Sequence, residues 1–249
     1  DGLVAAAYSP ADGHCTPESV VLGYAAAARA LGARLVTGTR VTGIEARPGG
    51  FEVRTAEQTV RAETVICAAG AWSAQVGAWA GTHLPVTPLR RQIVVTGPVA
   101  GLPGRLPMTI DFATSFYFHR EGQGLLIGMS DPEETPGYRL DRSDAWLPRL
   151  AEALTRRAPR LADYGIASGW AGLYEDTPDH NGLIGETAAS PAGRFLYATG
   201  FSGHGFLMAP AVGEVLRDMY LGRRPAVDVS PLDAGRFAAD GARPELNIV

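Results

Sequence analysis

The apolar and polar positions of this chain change rhythm along its length, and each rhythm predicts an element. Residues 18–31 are alanine-rich and close on Gly32, the pattern of a helix ending at a glycine cap. Short apolar runs at 34–37 and 40–45 each predict a strand. After the Pro48-Gly49-Gly50 turn, Phe51-Glu52-Val53-Arg54-Thr55 alternates with the period-two pattern of a half-exposed strand. Residues 64–69 are instead continuously apolar. They meet Gly70, and Trp72-Ser73 then opens a helix carrying Val76 and Trp79. A buried strand running through glycine into a helix predicts an α/β sheet with a site at the strand's C-terminal end.

From about residue 84 prolines punctuate shorter segments: 92–96, 115–119 and 124–129. Glu121-Gly122-Gln123-Gly124 between the last two is hairpin chemistry. This stretch predicts an antiparallel sheet inserted into the α/β domain. Trp146, Leu147, Leu150, Ala153 and Leu154 fall at helical spacing within 143–158, and Pro159 stops that helix. Residues 166–174 and 194–199 predict strands of the first domain again. Residues 210–220 predict a helix with Val212, Val215, Leu216 and Met219 inward. The expected division is 1–82 with 165–249 as one α/β domain and 83–164 as an antiparallel cap.

Composition narrows the functional classes. Of the 249 residues 46% are hydrophobic, enough for a sizeable core. Acidic residues outnumber basic ones, 26 to 22, and no basic run stands out, so a nucleic-acid partner is not expected. No stretch of 18 or more apolar residues predicts a membrane span. Cys15 and Cys67 lie far apart, as expected of two reduced, mostly buried thiols in a cytoplasmic protein. The histidines lack metal-ligand spacing, so no metal is expected.

Three constellations carry chemistry. Gly200-Phe201-Ser202-Gly203-His204-Gly205-Phe206 sets three glycines between a strand and a helix. It reads equally as a ligand-approach turn with helix N–H groups turned to an anion, or as a structural turn capped by His204. Ala68-Ala69-Gly70-Ala71-Trp72 supplies small residues for a cofactor crossing a sheet edge, or for close helix–strand packing. In Tyr174-Glu175-Asp176-Thr177-Pro178-Asp179-His180, Asp179 reads first as a turn cap, while Tyr174 ends a strand where it can line a pocket. GxGxxG, Walker A, HExxH and GxSxG patterns do not occur.

Together these stretches resemble the D-amino-acid oxidase-like flavoproteins, in the branch of sarcosine oxidase β subunits, dimethylglycine dehydrogenase-like enzymes and L-proline dehydrogenase β subunits. The resemblance rests on Gly70-Ala71-Trp72-Ser73, on Trp170-Ala171-Gly172-Leu173-Tyr174 with Thr177-Pro178-Asp179, and on the Gly200–Phe206 turn followed by Pro210-Ala211-Val212-Gly213. Asp12-Gly13 with Pro17 fits as well. It implies an incomplete Rossmann-like FAD domain plus an antiparallel β-sheet that holds the substrate. It also implies hydride removal from the carbon beside a secondary or tertiary amine (a sarcosine-, dimethylglycine- or proline-like amino acid). Carried over by position, Val41 contacts the adenine through its backbone. Ala69, Gly70 and Trp72 line the cofactor crossing. Gly172, Gly200, Phe201, Gly203, His204, Gly205 and Phe206 attend the isoalloxazine, and Tyr174 and His204 are the candidate catalytic residues. Arg90, Tyr117, His119 and Met129 are the candidate substrate residues, with Arg91 and Arg120 as other cations for a substrate carboxylate.

The chain also departs from that pattern. The family's N-terminal βαβ unit with its GxGxxG is absent, so the expectation is a chain starting partway through the fold. It would lack a pyrophosphate seat, bind FAD weakly alone, and need a missing segment or an oligomeric partner. Gly172 stands where monomeric sarcosine oxidases carry the flavin-linking cysteine, which implies noncovalent FAD. Leu207 stands where they carry a carboxylate-binding lysine. The alternative reading is a non-catalytic subunit that binds a partner protein through an exposed sheet edge.

Overall fold

A computed structural model describes residues 2–187, 193–239 and 241–246, so the outer ends of the expected ranges 1–82 and 165–249 fall outside the described residues. Along the chain run α1 (Pro17–Ala30), β1 (Val41–Arg47), β2 (Gly50–Thr55), β3 (Thr59–Ala62), β4 (Thr64–Cys67), α2 (Ser73–Trp79), β5 (Thr87–Thr96) and β6 (Thr109–Asp111). They are followed by β7 (Phe116–Glu121), β8 (Gly124–Gly128), α3 (Leu147–Arg157), β9 (Ile166–Asp176), β10 (Leu183–Glu186), β11 (Arg194–Thr199) and α4 (Gly205–Tyr220). The α/β class with an antiparallel insertion is as the periodicity predicts. Two compact units result. One comprises the chain up to Val21 with Arg90–Leu173, the other Leu22–Leu89 with Tyr174–Leu246.

The second unit holds two small sheets. β1, β2 and β3 form an antiparallel meander. The other sheet, ordered β10-β11-β4, pairs β11 with β4 in parallel and with β10 antiparallel. β11 is buried along nearly its whole length, which is why Phe195-Leu196-Tyr197-Ala198 is a continuous apolar run rather than an alternating one. Ile44, Phe51, Cys67, Leu84, Leu183, Phe195 and Tyr197 close one core. Ile184, Ala198 and Phe201 close another with Val212 and Val215 of α4, and Leu216 and Met219 pack against it.

The first unit is built on a five-stranded sheet ordered β6-β7-β8-β5-β9. The β7–β8 hairpin pairs Glu121 with Gly124 across Gly122 at φ 57 and Gln123, a tight turn that glycine accommodates. Phe116, Ile127, Val94 and Met129 share a core with Trp146, Leu150 and Ala153 of the α3 segment.

Three expectations change. Residues 34–37 are not a strand: among the described residues no strand pairs with them, and Leu35 and Val36 stay exposed. α4 starts at Gly205 rather than Pro210, because a proline inside a helix costs one hydrogen bond, here to the Phe206 carbonyl, without ending it. Cys67 is buried as expected, but Cys15 is exposed. No helix among the described residues is long and apolar enough to cross a membrane.

Candidate flavin site

The parallel strands β4 and β11 pair in register up to the end of β4, and β11 runs two residues further, to Thr199. Their last registered pair is Cys67 with Tyr197, and Gly70 and Gly200 each lie three residues beyond it (70 − 67 and 200 − 197). Both glycines turn the chain through the left-handed region, at φ 53 and φ 69, and Gly203 does so again at φ 100. A side chain at any of them would collide. A Cβ at Gly200 would sit 2.4 Å from the Thr177 methyl, one at Gly203 2.7 Å from the Tyr174 ring, and one at Gly70 2.8 Å from Glu175 Oε2. The two turns therefore present bare backbone side by side.

Buried hydroxyls fix these turns. Thr199 Oγ1 lies 2.7 Å from Ser73 Oγ and 3.3 Å from the Gly70 carbonyl oxygen. Ser202, strained at φ 49 for a residue with a Cβ, accepts the Thr177 N–H at 3.3 Å and donates to the Gly200 carbonyl. The Glu175 carboxylate Oε1 accepts the Phe201 N–H at 3.2 Å. Burial pushes the Glu175 pKa up, and that N–H draws it partly back.

His204 does not act as a side-chain cap. It makes no cap hydrogen bond to α4, so the first N–H groups of that 16-residue helix stay available where the turn delivers them. Bare glycine backbone beside an uncapped helix start fits the electron-rich pyrimidine edge of a flavin.

The remaining expected cofactor residues are distributed as follows. Ala69 and Trp72 flank Gly70 in a single 3-10 turn, with Trp72 42% exposed. Phe206 is exposed in the first turn of α4, whereas Phe201 is buried in the core beneath that helix. Val41 opens β1 opposite Thr55, beside a bulge. Gly172 belongs to the other unit, with open space around it.

The Thr-Pro-Asp segment is an anchor. Asp179, 1% exposed, accepts a two-pronged bond from Arg236, at 2.9 Å from Nε and 2.8 Å from Nη2. It also accepts the Asn181 and Arg243 N–H groups. Burial raises its pKa, but Arg236 and those amides outweigh burial and hold the carboxyl at about 2. Arg236 carries no motif that reveals this role in the sequence; only a buried acid far upstream calls for such a partner. Tyr197 completes the latch by donating to Asp233 at 2.7 Å.

On the five-stranded sheet, alternation divides the expected substrate residues between two faces. Phe116 and Phe118 pack toward α3, as does Met129. Tyr117 and His119 therefore occupy the opposite face. Tyr117 lies over Gly128, where a Cβ would be 2.3 Å from its ring. His119 stacks on His14 with centroids 4.5 Å apart, and its Nδ1 is 2.8 Å from the Arg120 carbonyl oxygen. A carbonyl accepts only, so Nδ1 carries a proton and donates it there, which fixes the ring.

Arg90 alternates with the core-facing Val94 and is bonded to Glu134 at 2.8 Å and to Asp141. Arg120 reaches the Pro103 carbonyl at 2.6 Å. Arg91 alternates onto the Tyr117–His119 face, since Ile93, two residues on, is level with Gly128 and Tyr117. Among the described residues no group of three His, Cys, Asp or Glu side chains converges as a metal site.

Comparison with known proteins supplies the family context. The family described as FAD dependent oxidoreductase, DAO, matches residues 1–219. Mitochondrial dimethylglycine dehydrogenase of Mus musculus is 32% identical over 94% of this chain and 29% of its own length. Mitochondrial sarcosine dehydrogenase of the same organism is 29% identical over 95% of this chain and 27% of its own length. Among solved structures, L-proline dehydrogenase from P. horikoshii superposes with a TM-score of 0.82 at 31% identity, covering 91% of this chain and 61% of that one. Glycine oxidase from Geobacillus kaustophilus gives 0.76 at 26% identity, over 88% and 57%. The chain thus spans about three-tenths of the first of these dehydrogenases.

Proposed function

The chain belongs to the DAO family of FAD dependent oxidoreductases, and from that premise we propose that it forms the flavin-ring and substrate portion of an enzyme oxidising the C–N bond of a secondary or tertiary amino acid. The observation that carries this reading is the level pair of glycine turns, Gly70 and Gly200, beside the uncapped start of α4. Bound FAD would supply the hydride acceptor for oxidation at the carbon next to the substrate nitrogen.

The chain's own residues bind, orient and exclude water. Gly200, Gly203 and the N–H groups from Gly205 onward stabilise negative charge at the ring's pyrimidine edge. Tyr174, ring against Gly203, and His204 border that edge. Trp72 and Phe206 offer exposed apolar surface to it. With glycine at 172 there is no thiol at that position to link the cofactor. On the substrate side, Arg91 is the cation for the carboxylate, Tyr117 a wall, and His119 Nε2, in the neutral ring, the lone pair that receives the ammonium proton. Arg90 holds the strand that carries Arg91 rather than the ligand. The relatives named for dimethylglycine, sarcosine and proline support a substrate with an alkylated nitrogen.

The test is anaerobic mixing of the FAD-reconstituted full gene product with sarcosine, dimethylglycine and proline. Bleaching of the flavin band by at least one is expected. A bound flavin that no secondary or tertiary amine reduces would remove the proposal and favour a non-catalytic subunit.

A further inference from the structure

We propose that Glu175 is a positioning residue of this site: its carboxyl spans the turns after β4 and β11 and fixes the shelf on which the flavin ring rests. The inference rests on the flavin reading given above.

The two glycine turns need a tie. β4 and β11 are bonded to each other only as far as Cys67 and Tyr197; β4 ends there, and β11 runs on beside β10 alone to Thr199. Beyond that point, Thr199 ties the turns from one side through Ser73 and the Gly70 carbonyl. Glu175 is the counterpart, delivered by the end of β9. Its Oε1 accepts the N–H of Phe201, the first amide after Gly200. Its Oε2 occupies the volume that any side chain at residue 70 would claim. One carboxyl thus holds the Gly200 turn by a hydrogen bond and packs closely against the Gly70 turn.

The neighbouring residues agree with this division. Tyr174, one residue earlier, backs Gly203 in the same way, and Thr177, two residues later, backs Gly200. Three residues of one strand and its following turn therefore stand behind the three glycines. Glu175 adds a hydrogen bond to this backing, accepting the Phe201 N–H of the turn's backbone. Its fixed geometry follows from its length: glutamine keeps both the reach and the acceptor oxygen, aspartate shortens the reach, and alanine removes both contacts.

The test compares wild type, Glu175→Gln, Glu175→Asp and Glu175→Ala in the full gene product. FAD affinity is read by quenching of flavin fluorescence, the visible spectrum of the bound flavin by absorbance, and the FAD-free unfolding midpoint by circular dichroism. Glu175→Gln should bind within about twofold of wild type with the same spectrum. Glu175→Ala should bind about tenfold more weakly or worse, the effect of one lost hydrogen bond on a binding constant, with a displaced flavin band. Its FAD-free midpoint should move little.

Wild-type affinity and spectrum in Glu175→Ala would overturn the proposal. So would a loss in Glu175→Gln as large as that in Glu175→Ala, since the acceptor would then not be what matters. If Glu175→Ala does not fold, Glu175→Asp decides: weaker binding supports the proposal, and unchanged binding overturns it. A wild-type protein that takes up no FAD would overturn the site reading itself. Flavin uptake that is indifferent to Glu175 would overturn only the role of this residue.

Discussion

At the residue scale, the anchor at Asp179 makes a prediction with a definite sign. The folded carboxyl titrates at about 2 against its ordinary 3.8. Its folded pKa is depressed, so the stability it contributes is complete above 3.8 and is lost as pH falls through about 2. That share is about 2 kcal/mol, from the size of the shift. Urea titrations between pH 6 and pH 2 should show this loss in wild type. Asp179→Asn should lose about 2 kcal/mol less than wild type across the same acid window and be less stable at neutral pH by about 3 kcal/mol, because Arg236 is left buried without its counter-charge. A mutant that keeps the wild-type acid dependence would assign the titration to another group. Gly200 is the second test at this scale. Alanine there meets both a positive φ and the Thr177 methyl, so Gly200→Ala should lose at least about 2 kcal/mol by thermal melt. Gly172→Ala, with open space around it, should be near neutral.

At the element scale, the sequence discloses alternation but not which face is inward. The alternation of Phe116 and Phe118 with Tyr117 and His119 is plain in the residues, yet either pair suits a core. The choice is made by Trp146, Leu150 and Ala153, which cover one face of the five-stranded sheet from far along the chain. The same reason hid the difference between Arg90 and Arg91. Adjacent arginines look alike in sequence, but β5 turns the first onto the covered face, where Glu134 and Asp141 neutralise it. The consequence is a split in phenotype. Arg90→Ala removes the buried one of the two arginines that pair with Glu134, leaving it the half-exposed Arg139, and should cost about 3 kcal/mol of stability. Arg91→Ala should raise KM for a carboxylate-bearing amine while kcat changes less. Equal KM effects for both variants would argue that the carboxylate is bound elsewhere.

At the scale of the whole molecule, what was legible and what was not follow one rule. Segments whose partners are near in sequence, such as the β7–β8 hairpin, read correctly. So did segments buried from every side, such as β11. Segments whose state depends on a distant neighbour did not: residues 34–37 look like a strand but lie beside none among the described residues. The flavin turn was legible as glycine chemistry, but its supports were not: Glu175 and Ser202 lie inside the stretches that stood out, yet spacing does not say what they bond, and Thr199 and Arg236 meet their partners only across the fold. The same rule bears on α1. Its alanine-rich sequence favours a helix locally, yet none of its residues is buried. A helix of 14 residues without tertiary cover is marginal in water. Hydrogen exchange on this chain should therefore show amides of Pro17–Ala30 exchanging orders of magnitude faster than those of β11, although both are regular elements. Protection of α1 comparable to β11 would mean that something beyond the described residues packs against it, and that local propensity is not all that holds it.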